Sequence, residues 1–386
     1  MQLSSFYKNP TAVYKTIKRG KLNASVSVSK LRVADETFNC VQDGFHKSLS
    51  LLKDPDMTHV EESASFCETM RDFRHVMELA RNGAKIPPIN VEESIRILYS
   101  VRDDVNDLFS ITASHYINAG AKGLRHFHFL LSALIQNIDN SSLRELNDIW
   151  AMILYKGHSK NRESDRSYRT ISTCPLLAKC LDVYIGQRYF PLWKQAQAVT
   201  HFQGEGSSHE LASLMLTESI LYSVHTSKKP IFVLFLDAKF AFDVVVRQNV
   251  IVDAYKAGTR DQGLLYLNNR MENRRTFPQW ETSLLGPIND KRGLEQGAVL
   301  SDRLYKLYNN SQLSEAQESG LGVQIGDISV AAIGQADDCA LISDCPVKLQ
   351  CLLYLTSLNC NRQHVELVPE KNKFVSMVSI LPKAEN

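Results

Sequence analysis

The chain has 386 residues, enough for about two or three domains and a full hydrophobic core. With 44% hydrophobic and 22% charged residues it has the composition of a globular protein, and a net charge of only +2 excludes a global basic field announcing nucleic acid. No run approaches the roughly 18 uninterrupted apolar residues of a transmembrane helix, and the N-terminus lacks the apolar core of a secretory signal.

In chain order, residues 1–34 come first. They hold Lys8, Lys15, Lys18, Arg19, Lys21, Lys30 and Arg32 and no acid, so they form either a phosphate-touching arm or a solvated leader. Residues 35–150 are expected to be helical, with apolar residues at helical spacing from Glu92 to Phe109. Gly120 to Leu124 is a glycine-containing break. It is no phosphate-cradling loop, because it has neither a following Lys-Ser/Thr nor a preceding strand. A helix resumes at His126. His126 and His128, two positions apart, face different ways and are packing residues rather than ligands. Residues 156–169 form a polar, basic loop. Helices are expected over Leu176–Tyr189, His209–Thr226, Asn249–Gly258 and Gln262–Arg270, and a short hairpin around Gly286-Pro287. The eight cysteines include no Cys-x-x-Cys, and Cys360-x3-His364 lacks metal-binding partners. Reduced, structural thiols of an intracellular protein are expected.

Three carboxylates stand out. Asp237 ends the apolar run Ile231-Phe-Val-Leu-Phe-Leu-Asp237 and leads into Ala241-Phe242-Asp243. Asp337-Asp338 lies between Ser329-Val-Ala-Ala-Ile333 and Cys339-Ala-Leu-Ile342, which reads as strand, tight turn, strand. Carboxylates converging at strand ends suit two Mg²⁺ ions, which prefer oxygen ligands and bind through a few carboxylates plus substrate phosphates. Between them runs Gly293-Leu-Glu-Gln296-Gly297-Ala-Val-Leu-Ser301, followed by a helix through Tyr308. Its glycines permit close approach of backbone to a nucleotide or template.

From Asp237 through Asp243, from Gly293 through Tyr308, at Ala336-Asp337-Asp338 and over Pro369-Glu-Lys371-Asn-Lys373, the chain resembles reverse transcriptases, in particular those of non-LTR (LINE-like) retrotransposons. The motifs occur in the family's order over roughly residues 150–378. The resemblance implies an α+β right-hand polymerase, with fingers and an antiparallel palm sheet over 151–378. Around it are a basic arm (1–34), a helical N-terminal region (35–150) and a tail (379–386), and the thumb is missing or truncated. It implies RNA-directed DNA synthesis with two Mg²⁺ ions (Mn²⁺ as the alternative), using an RNA template, a DNA primer and deoxynucleoside triphosphates, with no membrane and an intracellular, nuclear setting. Asp237, Asp337 and Asp338 would hold the metals. Lys156, Arg169 and Lys371 match the basic residues around the triphosphate, and their alternative is solvated surface charge. Gln296 and Gly297 would face the incoming base pair. Phe242 matches the aromatic that screens out ribose 2′-hydroxyls, and its alternative is a core ring.

The sequence departs from the family's pattern in places. Gln335 stands where an aromatic usually precedes Ala-Asp-Asp, Asp302 where a proline follows Leu-Ser, Gln203 where an arginine is usual, and Asn372 where a threonine follows the lysine. Two further readings stand beside the leading one, the first of them motivated by the missing thumb. The first is a catalytically inactive, truncated retroelement remnant that folds and binds RNA. The second is a template-independent or RNA-templated RNA polymerase on the same palm, and Phe242 argues against its use of ribonucleotides.

Overall fold

The computed structural model describes residues 28–101, 107, 109–138, 145–157, 160–198, 200–202, 208–335, 337–368 and 373–377. Most of the basic arm, Gln203, Ala336, Lys371, Asn372 and the tail 379–386 lie outside the described residues. The chain divides into two compact units. The smaller is Met1–Ser48 with Tyr155–Arg169, and the larger is Leu49–Leu154 with Thr170–Asn386.

In the smaller unit, strands β1 (Leu31–Val33) and β2 (Glu36–Phe38) form an antiparallel ladder that pairs Leu31 with Phe38. The sequence reading had a basic arm running into helix here. Leu31 and Val33 are buried while Arg32 is exposed, and this period of two makes a strand. Helix α1 (Val41–Lys53) starts in this unit. Its Phe45 meets Tyr168 edge-on at 4.8 Å, and its Ser48 hydroxyl donates to Asp165 at 2.7 Å. The described part of the polar stretch, residues 156–157 and 160–169, is therefore pinned: the Lys156 amide donates to the Ser167 carbonyl, and Asp165–Ser167 forms a 3-10 turn.

The larger unit is mixed α+β. Its first half is helical: α2 (Thr58–Glu61), α3 (Ala64–Arg81), α4 (Val91–Ser100), α5 (Ala113–Asn118) and α6 (Gly120–Gln136). Side-chain caps define two starts. Ser63 accepts from the Phe66 amide, and Asn90 from the Glu93 amide. The expected helix to Phe109 stops at Ser100. Downstream, the Asp107 carboxylate accepts from the amides of Phe109 and Ile111 and from Leu176, a set of partners that a continuous helix would not allow. The glycine break proves to be the junction of α5 and α6, which meet at Gly120.

Strands β3 (Ile149–Tyr155) and β4 (Tyr168–Thr173) follow, then α7 (Leu176–Gln195) and α8 (His209–Leu221), which ends in a π turn over Tyr222–Thr226. Next come β5 (Ile231–Leu236), α9 (Arg247–Lys256) and α10 (Gln262–Met271). β6 (Arg274–Trp280), β7 (Ser283–Leu284) and β8 (Ile288–Asp290) then join β3 and β4 in one sheet. The hairpin reverses at Glu281, which adopts φ +53°, rather than at Gly286-Pro287, which lie in the connector to β8. α11 (Ser301–Glu318) leads to β9 (Val323–Ile325), β10 (Ile328–Val330), β11 (Ala332–Gln335), β12 (Asp338–Ser343), α12 (Pro346–Arg362) and β13 (Lys373–Met377). Ser329 and Val330 belong to the separate β9–β10 ladder, so the strand before the acidic turn is shorter than its apolar run suggests.

β11, β12, β5 and β13 form an antiparallel sheet in that order. Its residues alternate between two covered faces. Leu236, Ala332, Cys339 and Leu341 pack with Leu313 and Ala316 of α11 and Leu349 and Leu352 of α12. Ile231, Val233, Ala340 and Ile342 pack with Met215, Leu216 and Ile220 on the α8 side. Coverage on both faces is why β5 reads as an unbroken apolar run. A larger core joins the early helices to the rest of this unit: Val76, Ile97, Phe127 and Leu131 share it with Tyr184, Val245, Leu264, Leu294 and Tyr305. Inside it Asp182 is gripped by Arg270 and by the Tyr266 hydroxyl at 2.6 Å. Among the described residues no helix is long and apolar enough to cross a membrane.

Candidate active site

Strands β5 and β12 run antiparallel with Leu236 opposite Cys339. One step beyond each partner stand Asp237 and Asp338, and Asp337 precedes Asp338 in the turn. The three acids of the sequence reading thus stand at one end of one sheet, with Asp237 and Asp337 half-buried and Asp338 exposed. Residues 366–368 buttress the Asp237 side. The Val368 amide donates to the Asp237 carbonyl, Ala238 bridges Leu367, and the Lys239 amide donates to the Glu366 carbonyl. Among the described residues no group of three or more His, Cys, Asp or Glu side chains is gathered into a ready metal cage. What the sheet end offers is three hard oxygen donors, the ligand type Mg²⁺ takes.

After Asp237 the chain turns at Phe240, whose φ is +52°, and the amides of Asp243 and Val244 donate to its carbonyl. This turn presents Phe242, whose ring stacks on Tyr305 of α11 at 4.4 Å between centroids and 20° between planes. Tyr305 is buried. Burial first, and then the negative charge of Asp337, push its hydroxyl well above the ordinary tyrosine value. Tyr305 therefore connects the Phe242 turn to the acidic turn.

The Gly293–Gly297 loop closes over the same region. The Gly293 amide donates to Val245 and the Leu294 amide to Phe242, each at 2.8 Å. Gly293 has φ +88°, and a Cβ there would lie 2.7 Å from the Asp243 carbonyl oxygen. Gly297, at φ +101°, approaches the Ser172 carbonyl, while the Ser172 amide donates to the Gln296 carbonyl. Only glycine takes both backbones without strain. The Gln296 side chain is half-buried and Gly297 is exposed.

Two buried arginines hold this loop from behind. Arg247 donates to the carbonyls of Gly293, Met271, Asp290 and Arg292. Arg274 donates to the Gly293 carbonyl and to Asp290, and its guanidinium lies 2.6 Å from Glu295. Burial alone would raise the Glu295 carboxyl. The guanidiniums of Arg274, Arg270 and Arg247 outweigh it and hold the group down at about 2. Ser301, at the start of α11, donates to the other Glu295 oxygen.

The remaining expected residues fall elsewhere. Lys156 and Arg169 are exposed in the smaller unit, with the Lys156 ammonium donating to the Arg166 carbonyl at 2.8 Å. Lys371 is outside the described residues. Sequence reasoning missed Arg247, Arg274 and Glu295. Glu295 sat inside the quoted motif, but nothing local marks it as the partner of an arginine two strands away. It also missed Lys53, whose ammonium lies 3.0 Å from the Asp243 carboxylate.

A family model described as reverse transcriptase (RNA-dependent DNA polymerase) matches residues 159–382, more than half of the chain. A comparison with curated proteins gives no match. The matched segment contains the three acids, the Phe242 turn and the Gly293–Gly297 loop, and the chain belongs to the reverse transcriptase family.

Proposed function

We propose that this chain carries out RNA-templated DNA synthesis by nucleotidyl transfer, as a retroelement reverse transcriptase of the non-LTR type. The observation that carries the reading is the β5–β12 register, with Leu236 opposite Cys339, which puts Asp237 and Asp338 side by side at the sheet end with Asp337 adjoining. In this reading the four-stranded sheet with α11 and α12 is the palm, and the basic stretch bearing Lys156 and Arg169 belongs to the fingers. The early helices form a region of their own that shares the palm's core.

Asp237, Asp337 and Asp338 are the residues that would hold Mg²⁺, or Mn²⁺ in its place. When bound, such ions activate a primer hydroxyl and neutralise charge on a triphosphate. The protein's own part is positioning and exclusion. Lys156, Arg169 and Lys371 supply positive charge for the triphosphate. The Gln296-Gly297 backbone, fixed by Ser172, offers a flat surface to the base pair. Phe242, held against Tyr305, fills the space beside the sugar where a 2′-hydroxyl would project.

The second reading is a folded but catalytically inactive remnant. Primer extension on RNA and DNA templates, with deoxy- or ribonucleotides and Mg²⁺ or Mn²⁺, separates the readings. Deoxynucleotide extension on RNA that vanishes in Asp337→Asn supports the polymerase. Binding of RNA without extension under every condition supports the remnant.

A further inference from the structure

Lys53 and Asp243 make an ion pair at 3.0 Å, with the two side chains only 5% and 12% exposed. Lys53 stands in the last turn of α1, far upstream of the segment that matches the family model. The contact is not isolated. The Lys291 amide donates to the Lys53 carbonyl at 2.8 Å, Arg292 Nε donates to the Leu52 carbonyl at 3.2 Å, and the Lys291 ammonium lies 2.9 Å from Asp54. The carbonyls that end a helix lack intrahelical partners, and here the residues leading into the Gly293 loop supply them. The end of α1 therefore touches both nucleotide-facing segments, the Phe242-Asp243 turn and the approach to Gly293.

Placement explains this pair better than stability does. A buried ion pair contributes little over an apolar pair of the same volume, because both ions lose hydration. What it does supply is a fixed distance and direction. Asp243 is covalently next to Phe242, and its carbonyl is the atom that Gly293 approaches so closely that a side chain there would collide. A shift of Asp243 moves the Phe242 ring and the loop together.

We infer that Lys53 is a positioning residue for nucleotide selection: acting through Asp243, it fixes the turn that carries Phe242, so the end of α1 is part of the nucleotide site. The consequence for selection rests on the polymerase reading above, whereas the tether itself rests on geometry alone.

The test uses the full chain in four forms: wild type, Lys53→Met, Lys53→Arg and the double variant Lys53→Met/Asp243→Asn. Lys53→Met alone strands a buried carboxylate and risks unfolding. The double variant removes that charge, so it restores the fold without restoring the tether. The expected result is a double variant that melts close to wild type, with KM for deoxynucleotides raised about tenfold, kcat nearly kept and more ribonucleotide incorporated, since loosening a turn that contacts the nucleotide in the ground state and the transition state alike raises KM and leaves kcat. Lys53→Arg recovers most of the loss. A double variant with wild-type KM and wild-type sugar selectivity overturns the inference. So does one whose kcat and KM defects both disappear at a lower assay temperature, because Lys53 is then purely structural. If the wild-type chain extends no primer, the polymerase reading fails on its own, and the tether is read from hydrogen exchange. Faster exchange of the Gly293 and Leu294 amides in the double variant upholds the tether, and unchanged protection refutes it.

Discussion

Phe242 lies face to face on Tyr305, and Tyr305 in turn feels the charge of Asp337. Two motifs far apart in the chain thus share one buried aromatic, so the Phe242 turn and the acidic turn respond to the same packing. Phe242→Ala opens space beside Tyr305. The ring is half-buried, so the expected cost is about 2 kcal/mol, below that of a fully buried phenylalanine, with part of it the lost stacking. Ribonucleotide incorporation should rise relative to deoxynucleotide incorporation at a temperature where the variant stays folded. An unchanged ratio, measured alongside the urea midpoint, would make Phe242 a core ring only.

Asp337→Asn keeps side-chain volume and removes a charge. Primer extension should be lost with the circular dichroism spectrum unchanged. Mg²⁺ should raise the melting temperature of the wild-type protein, by about 1.4 kcal/mol in stability at roughly ten times its Kd, and chelator should reverse the rise. The Asn variant should show a smaller rise. Equal responses in the two proteins would place the metal elsewhere.

Gly293→Ala tests the loop. The new Cβ would meet the Asp243 carbonyl at 2.7 Å in a backbone with φ +88°, so neither rotation nor a flexible neighbour relieves it. A loss of about 2 kcal/mol or more is expected. Gly320→Ala, also at positive φ but with open space around it, serves as the control and should cost less.

Glu295 gives the site an acid-sensitive anchor. Its carboxyl is held at about 2, below the ordinary value of 4.5, so its contribution is complete above pH 4.5 and is lost as pH falls toward 2. The slope from this one group cannot exceed about 1.4 kcal/mol per pH unit. Arg274→Met removes its main partner and leaves Asp290 with only the more distant Arg247 at 3.9 Å, and should cost about 3 to 5 kcal/mol near neutral pH. In that variant the wild-type stability decline below pH 4.5 should flatten. Denaturant titrations of both proteins between pH 6 and about pH 3 decide it.

His201 adds a second, higher window. Burial first, then the nearby Lys306 ammonium, lower its ring from 6.5 to about 3. The unfolded chain binds that proton more readily, so stability falls as pH drops from 6.5 toward 3. Both ring nitrogens are buried without partners among the described residues, so an apolar replacement removes a cost. His201→Leu should therefore match or exceed wild-type stability, and its advantage should grow as pH falls from 7 to about 4. A constant difference across that range would mean the ring is not neutral in the fold.

Much of this molecule is legible from local pattern. The apolar run before Asp237 and the runs flanking Asp337-Asp338 specify strands because side-chain period follows backbone geometry, and the structure pairs β5 with β12. Helices α8, α9 and α10 lie close to their expected spans, α8 behind a Ser208 cap, whereas α7 runs on past Tyr189 to Gln195. The order of the acids and the two glycines of the loop were likewise visible in the sequence alone. Tertiary structure alone decided which distant charges meet. Nothing near Lys53 points to Asp243, and nothing near Arg274 or Arg247 points to Glu295 or to the Gly293 carbonyl. An ion pair or a carbonyl contact is made by two side chains whose separation in the chain carries no period, so only the packing of whole elements brings them within reach. The same reason hid the strands at 31–38 and the early end of α4. The hairpin at 31–38 is itself local but is bridged to Ser164 through Arg32, and beyond the end of α4 the Leu176 amide engages Asp107.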